Sequence, residues 1–345
     1  MNKGSTSNLF EDFRLGQEFE CPTPRVLTDA DRVAYIVHTG DRTPHFCNAR
    51  GIVHPLIVFH TVLGQTVRQI SLNARANLGY AELMWHKPVF VGDEVRTSAK
   101  VIGLKENSDQ KSGIVFVKTV GVNQRNESVL EYMRWVMVKK NRESATPYLR
   151  DPVAPNMAKS VTVDKLSSHS PDPCIPSATG GRFFWEDYAV GEVVFHEEGT
   201  TVNSSDHMNF TRLYQNSARV HFDSILTNGK PLVYGGLPLS VGYAHQFNGF
   251  ENRSGIAAIN GGSHVNPTYS GDTLYSCTQI VERSNFSPSL GALRLRLIVC
   301  KNENPASVPD FQIMRLNPQT QKEEYRPSVV LDLDFWELVG KKSER

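Results

Sequence analysis

One unit is written twice in this chain, and the duplication limits its fold more than any other feature. FEDFRLGQEFE (Phe10–Glu20) returns as WEDYAVGEVVF (Trp185–Phe195), 175 positions later. At the same offset, TDADRVAYIVHTGD (Thr28–Asp41) falls on NSSDHMNFTRLYQN (Asn203–Asn216). Further on, KPVFVGDEV (Lys87–Val95) falls on NPTYSGDTL (Asn266–Leu274) at an offset of 179. The drift implies extra residues in the second copy, placed most simply in the polar stretch Leu226–Lys230. A repeat this long is a duplicated domain, not a solenoid unit. The copies are read as residues 1–141 and 181–345, joined by a Pro/Ser-rich linker at 142–180 that crosses the surface without a sustained period. A length of 345 residues suits two domains. A second weakly patterned insertion lies at Glu303–Tyr325.

Each copy repeats one order of elements. A short helix opens after a polar cap, Thr28 with Asp31 and Asn203 with Asp206. A loop leads to a longer apolar helix, PLIVFHTVLGQTVRQISL from Pro55 and GLPLSVGYAHQFNG from Gly236. Three or four strands complete each copy: LGYAELMWH, EVRTSAKVIGL, GIVFVKTVGV and VLEYMRWVMV, then GIAAINGGSHV, TLYSCTQIVER, GALRLRLIVC and SVVLDLDFWEL. Their β-branched and aromatic content, with turns at Gly92-Asp93 and Gly271-Asp272, predicts antiparallel sheet. One long helix followed by consecutive strands is an α+β arrangement, a sheet wrapped about a helix. Alternating βαβ units are absent from the pattern, as is any GxGxxG junction.

Composition excludes several classes of function. A formal net charge of +1 supplies no electrostatic reason to expect nucleic acid or an anionic membrane as partner. No run approaches the roughly 18 apolar residues of a membrane span, and MNKGSTSNLFEDF lacks the apolar core of a signal peptide. The five cysteines (Cys21, Cys47, Cys174, Cys277, Cys300) are odd in number and show no CxxC spacing. They predict reduced thiols in a cytoplasmic protein. No metal or redox-cofactor motif stands out among the eleven histidines.

Three motifs carry a family resemblance. A loop reads TGDRTPHF in the first copy and YQNSARVHFD in the second. The long helix is entered through VHPL (Val53–Leu56) and VYGG (Val233–Gly236). A PVxxGD element stands at Pro88–Asp93 and, with Thr268 and Tyr269 replacing Val and Phe, at Pro267–Asp272. On these residues the sequence resembles the MaoC-like, R-specific enoyl-CoA hydratases, which implies a tandem hot-dog fold. Over nearly the whole chain, stretches such as ISLNARANLGYAEL, SGIAAINGGSHVNP and SVVLDLDFWEL resemble the mesaconyl-CoA hydratases, also called β-methylmalyl-CoA dehydratases. That resemblance implies reversible hydration of mesaconyl-CoA to β-methylmalyl-CoA. Coenzyme A is then part of the substrate, no other cofactor is needed, and a homodimer is expected.

The larger family grips one water with an aspartate and a histidine five residues later. It receives the enolate oxygen on backbone N–H groups at the central helix N-terminus. The first copy keeps Asp41 but carries Phe46 at the histidine position, with His45 one residue short. Its helix entry is His54-Pro55, and proline has no N–H to give. Asp41 then reads as a loop or capping carboxylate in a degenerate copy.

The second copy keeps His221 five residues after Asn216, with Gly235 and Gly236 at the helix entry. A lone histidine is more often structural, but this spacing assigns His221 as the general acid/base. Asn216 replaces the family's aspartate; an amide cannot take water's proton but can orient water through its oxygen and NH₂. Asp223 either orients the imidazole or is a solvent-facing loop acid. Arg219 is either the partner of a substrate carboxylate or a surface ion pair. Tyr234 either lines the acyl pocket or packs. Two other functions stay open: a thioesterase on the same fold, and a non-catalytic acyl-CoA-binding subunit in which Asn216 marks lost activity.

Overall fold

The same local devices build both copies. The computed structural model describes residues 8–47, 51–141, 154–166 and 176–342, so Cys174 lies outside the described residues. In FEDF the Asp12 carboxylate accepts the Leu9 N–H (2.8 Å), and in WEDY Asp187 accepts that of Phe184 (3.0 Å). Each closes a 3₁₀ turn, Phe10–Asp12 and Trp185–Asp187. A strand follows each turn, β1 (Glu18–Val26) and, in the second copy, β6 (Val193–Thr201). Neither was expected from the sequence pattern. Both lie at sheet edges with most side chains exposed, so they lack the apolar alternation that marks a strand.

The expected caps start the first helices. Asp31 Oδ2 accepts the Thr28 N–H at 2.8 Å ahead of α1 (Asp29–Thr39), and a short α2 (Pro44–Cys47) lies beyond it. The long α3 (Pro55–Thr66) continues through a π-helical turn at Val67–Ser71. Four strands complete the first half: β2 (Ala74–Trp85), β3 (Glu94–Glu106), β4 (Ser112–Asn123) and β5 (Ser128–Lys139).

After a single turn, α4 (Pro176–Thr179), and β6, the second half repeats the order. Asn203 Oδ1 accepts the Asp206 N–H at 3.0 Å to cap α5 (Ser204–Leu213), and α6 (Gly236–His245) is the central helix. Then come β7 (Arg253–His264), β8 (Thr273–Asn285) and β9 (Leu290–Lys301). The insertion at 303–325 carries a small hairpin, β10 (Met314–Leu316) and β11 (Glu323–Tyr325), before β12 (Val329–Gly340).

The PVxxGD elements tie each sheet to its first helix through identical backbone bonds. The Leu27 N–H donates to Asp93 O (2.9 Å), and the Gly92 N–H donates to Leu27 O (2.8 Å). Val202, Asp272 and Gly271 repeat both bonds at 2.9 and 2.8 Å. Gly92 and Gly271 take φ of 93° and 97°, a region glycine enters without strain.

All pairings in the large sheet are antiparallel, in the order β1-β3-β4-β5-β2-β7-β12-β9-β8-β6. The two five-stranded sets meet edge to edge at β2–β7. Each holds one helix, α3 or α6, buried on nearly every face, as an apolar helix inside a wrapped sheet must be. This is the α+β tandem hot-dog arrangement. Leu56, Phe59 and Leu63 of α3 share one apolar core with Leu237, Leu239 and Tyr243 of α6. The described part of the linker does more than cross the surface. Val161 and Leu166 pack with Ala258 and Leu338, and the Trp336 indole N–H donates to the Val161 carbonyl at 2.9 Å. Among the described residues no helix is long and apolar enough to cross a membrane.

The seam between the halves depends on missing side chains. A Cβ on Gly79 would lie 2.5 Å from the Gly262 carbonyl oxygen and 2.6 Å from the Trp135 ring, whereas one on Gly261 would meet nothing nearer than 3.9 Å. Gly79→Ala is therefore expected to cost about 1–3 kcal/mol through overpacking, while Gly261→Ala is close to neutral. Urea unfolding midpoints of the two variants check this; equal midpoints would remove the seam's steric constraint.

Candidate active site

The two copies of the loop start alike. Gly40 (φ 73°) ends α1 in the left-handed region, and Gln215 (φ 55°) takes that conformation after α5. A non-glycine residue pays roughly 1–2 kcal/mol for it. In each copy the next residue forms an Asx turn. Asp41 Oδ1 accepts the Thr43 N–H at 2.8 Å, and Asn216 Oδ1 accepts that of Ala218 at 3.1 Å. The turn occupies the amide oxygen of Asn216, so its NH₂ is the group free to meet a ligand.

Beyond this point the first copy is filled. Asp41 is buried, 3.3 Å from Arg253 Nη2 and 3.3 Å from His54 Nε2. The Arg253 guanidinium also bonds Thr43 Oγ1 (2.9 Å) and the Tyr243 carbonyl (2.8 Å). Burial alone would raise the Asp41 pKa, but Arg253, His54 and the Thr43 N–H hold it well below the carboxylate range. Burial pushes the nearby Glu337 up to about 8 despite Arg253 and the Tyr243 hydroxyl. At neutral pH, Asp41 thus supplies the main balancing charge for Arg253. His54 accepts the Leu56 N–H on Nδ1 (3.0 Å) and caps α3, with Phe46 packed on its ring at 4.4 Å between centroids. The pocket between Arg32, Tyr35, Phe46 and His54 has no room for a water molecule.

The pocket of the second copy lacks all three plugs. Ala74 opens β2 where Arg253 opens β7, Gly235 precedes α6 where His54 precedes α3, and His221 stands in place of Phe46. A cavity of about 560 Å³ results, within the usual size for small-ligand sites. His221, Asn216, Tyr234, Gly235 and Gly236 all line it. The first half contributes Phe59, Tyr80 and Arg134, so the site belongs to both halves.

His221 ends a 3₁₀ turn, Arg219–His221, and is 8% exposed. Its Nδ1 donates to the Leu232 carbonyl at 2.7 Å, which leaves the Nε2 lone pair available. Burial pushes its pKa down to about 4; the Leu232 bond opposes this and His207 adds to it. The imidazole is therefore neutral at pH 7 and able to accept a proton. Tyr234 packs on it with ring centroids 5.8 Å apart. The Tyr234 hydroxyl is 3.1 Å from His60 Nδ1, and His60 Nε2 is 2.8 Å from Ser240 Oγ. A histidine of α3 thus braces the entry of α6.

Glycine is required at that entry. A Cβ on Gly235 would sit 2.7 Å from the His264 ring, and one on Gly236 would sit 2.5 Å from the Tyr234 ring. Among the described backbone bonds the Gly235 and Gly236 N–H groups have no acceptor, and they stand at the positive end of the α6 dipole. The loop bearing Asn216 is held from the first half. Gly64 of α3 leaves space that a side chain would take from the Tyr214 carbonyl, and Arg25 of β1 bonds the Leu213 carbonyl and Asp31.

Two residues named from the sequence lie elsewhere. Asp223 is exposed, and its Oδ1 accepts the Ile225 and Leu226 N–H groups (3.0 and 2.9 Å). It caps the turns at 224–229, where the second copy carries its extra chain, and does not reach the imidazole. Arg219 is exposed and does not line the cavity. In a 3₁₀ turn only residues three apart share a face, so a residue two before His221 points away.

Other residues at the cavity were missed. His264, neutral with its pKa pushed to about 4 by burial, lies over Gly235. Arg134 had a readable signal. Leu130, Tyr132, Arg134, Val136 and Val138 alternate along β5, and all face inward.

Comparison with known proteins identifies the family and the fold. The family model described as mesaconyl-CoA hydratase matches residues 2–306. Mesaconyl-CoA hydratase of Cereibacter sphaeroides is 41% identical over 98% of this chain and 99% of its own. β-Methylmalyl-CoA dehydratase of Chloroflexus aurantiacus is 41% identical over 99% of each chain. The crystal structure of a MaoC domain protein dehydratase from Chloroflexus aurantiacus superposes with a TM-score of 0.90 at 39% identity, covering 99% of this chain and 100% of that one. A Mycobacterium tuberculosis protein with a double hotdog fold shares the fold alone, with a TM-score of 0.72 at 22% identity over 96% of this chain and 98% of its own.

The contrast between the loops sets an expectation for Asp41. Asp41→Asn keeps the Asx turn but leaves Arg253 buried without its main counter-charge, at a cost of about 3–5 kcal/mol. Calorimetry should show the lost stability without a matching fall in kcat of the folded fraction. A large fall in kcat with unchanged stability would place Asp41 in the chemistry instead.

Proposed function

We propose that this chain, which belongs to the mesaconyl-CoA hydratase family, catalyses the reversible hydration of mesaconyl-CoA to β-methylmalyl-CoA in the cavity of its second half, with His221 as general acid/base. One observation carries the assignment of roles. A buried, neutral imidazole with a free Nε2 and an amide with a free NH₂ line a cavity that ends at the open N-terminus of α6.

The amide of Asn216 donates to the oxygen of one water, and that water donates to His221 Nε2. As the water oxygen bonds to Cβ, its proton passes to His221, and the C=C electrons move into the thioester as an enolate. The Gly235 and Gly236 N–H groups are positioned to receive that oxygen as charge develops. His221 then returns the proton to Cα, which balances the addition of water as syn hydration. The reverse sequence dehydrates β-methylmalyl-CoA. No electrons leave the substrate, so nothing beyond the substrate's own coenzyme A is needed. Arg75 and Lys230, both exposed and both lining the cavity, offer cations to the coenzyme A phosphates.

The thioesterase alternative needs an acid to activate water against the carbonyl carbon. Among the described lining residues there is no aspartate or glutamate, which favours hydration. The same reading places the enzyme in the cytoplasm, in keeping with the unpaired Cys21, Cys47, Cys277 and Cys300. It also expects a homodimer. Val33 and Val37, one turn apart on α1 and 59% and 74% exposed, are an apolar strip that such a contact would cover.

Two measurements test the mechanism. His221→Ala should lower kcat for mesaconyl-CoA by about 10²–10⁴, followed as loss of enoyl-thioester absorbance, with an unchanged circular dichroism spectrum. Activity within tenfold of wild type would defeat the assignment. Hydration requires neutral His221, so kcat/KM should stay level from neutral pH downward and fall only near pH 4. An acid limb near the ordinary histidine value of about 6.5 would contradict a buried, desolvated base.

A further inference from the structure

We propose that Arg134 is the receptor for the free carboxylate of the acyl group, and that it sets the preference for a dicarboxylyl over a simple enoyl thioester. The proposal rests on the hydration reading above and replaces Arg219 in the role suggested by sequence proximity.

Arg134 is 1% exposed, yet it lines the cavity. Its hydrogen-bond partners are neutral oxygens: Thr66 Oγ1 at 2.7 Å, Asn77 Oδ1 at 3.3 Å and Ser71 Oγ at 3.5 Å. Its Nε is buried without a hydrogen-bond partner. Among the described residues no carboxylate forms an ion pair with it, whereas Arg253, also fully buried, has Asp41. A guanidinium keeps its charge in any such setting, and an uncompensated buried charge is costly. Its planar fork has five N–H donors, matched to a carboxylate through two parallel bonds. Ser, Thr and Asn oxygens hold the group in place, and unused N–H groups remain for an anion.

The substrate's geometry fits this placement. In any monothioester of a but-2-enedioic acid, the two central carbons are Cα and Cβ, so the free carboxylate is bonded directly to Cβ. Cβ is the carbon that the water held by His221 and Asn216 attacks. A group that fixes the carboxylate therefore fixes the target. It also offsets the negative charge that would otherwise repel the incoming oxygen. Tyr234 links the two ends of the site, with its ring against His221 and its phenol within electrostatic reach of Arg134.

The plugged pocket lacks this group. Tyr80 pairs with Arg134 across β2–β5, and at the matching register Ile259 pairs with Phe335 across β7–β12. The open site has an arginine where the closed one has a phenyl ring.

The test compares wild type, Arg134→Met and Arg134→Lys on mesaconyl-CoA, the methyl ester of mesaconyl-CoA, and crotonyl-CoA. Arg134→Met should lose about 10–10²-fold in kcat/KM on mesaconyl-CoA, the range for a charged hydrogen-bonded contact. Its loss on the ester and on crotonyl-CoA should be at least tenfold smaller, and Arg134→Lys should recover part of the acid's advantage. Equal losses on all three substrates would overturn the proposal and leave the hydratase reading standing. Wild type that hydrates crotonyl-CoA but not mesaconyl-CoA would overturn the substrate assignment and the proposal together. Should Arg134→Met fail to fold, wild type still decides. A preference of tenfold or more for the acid over its ester supports the receptor, and a ratio near one overturns it.

Discussion

The pairing of β2 with β7 is the constraint on which the rest of the structure depends. Gly79 and Gly262 let these strands close into one continuous sheet, with Tyr80 and Trp135 packed where side chains would otherwise stand. Joining the halves there sets α3 beside α6 and brings each loop to the opening residue of the other half's inner strand. The first loop meets Arg253 of β7, and the second shares a cavity wall with Ala74 of β2. One difference in strand-opening residue thus helps decide which loop faces a filled interior and which faces a cavity.

The halves therefore divide the work unequally, although neither acts alone. The first copy turns its loop carboxylate inward to an arginine and uses His54 as a helix cap. Its helix α3 and strands β2 and β5 then form a wall of the other half's site. His60 braces Tyr234, Gly64 admits the Asn216 loop, and Arg134 enters from β5. Loss of the first copy's own pocket did not make that copy dispensable to the second's.

Much of this was legible in the sequence because it is local. The duplicated caps, the Gly-Asp turns, the two central helices and most strands follow from short-range chemistry. Asn216, His221, Tyr234, Gly235 and Gly236 meet at one cavity because a motif spacing and a helix entry carry them there. Edge strands β1 and β6 escaped because their largely exposed residues show no apolar alternation in the sequence. Arg219 and Asp223 show the limit of reasoning by proximity, since neighbours on a tight turn point in different directions. Arg134 lies far from the motif in sequence. Its inward register could be counted, but the cavity it faces is made by tertiary pairing across the seam.

The filled pocket of the first copy also has a consequence for symmetry. Two identical chains that dimerise about a two-fold axis present the same residues at both equivalent pockets. They cannot plug one with Arg253, His54 and Phe46 and leave the other open with Ala74, Gly235 and His221. Covalent duplication releases the pseudo-equivalent positions from that identity. This chain can therefore hold one acyl-CoA per polypeptide, with the second pocket converted into packed interior.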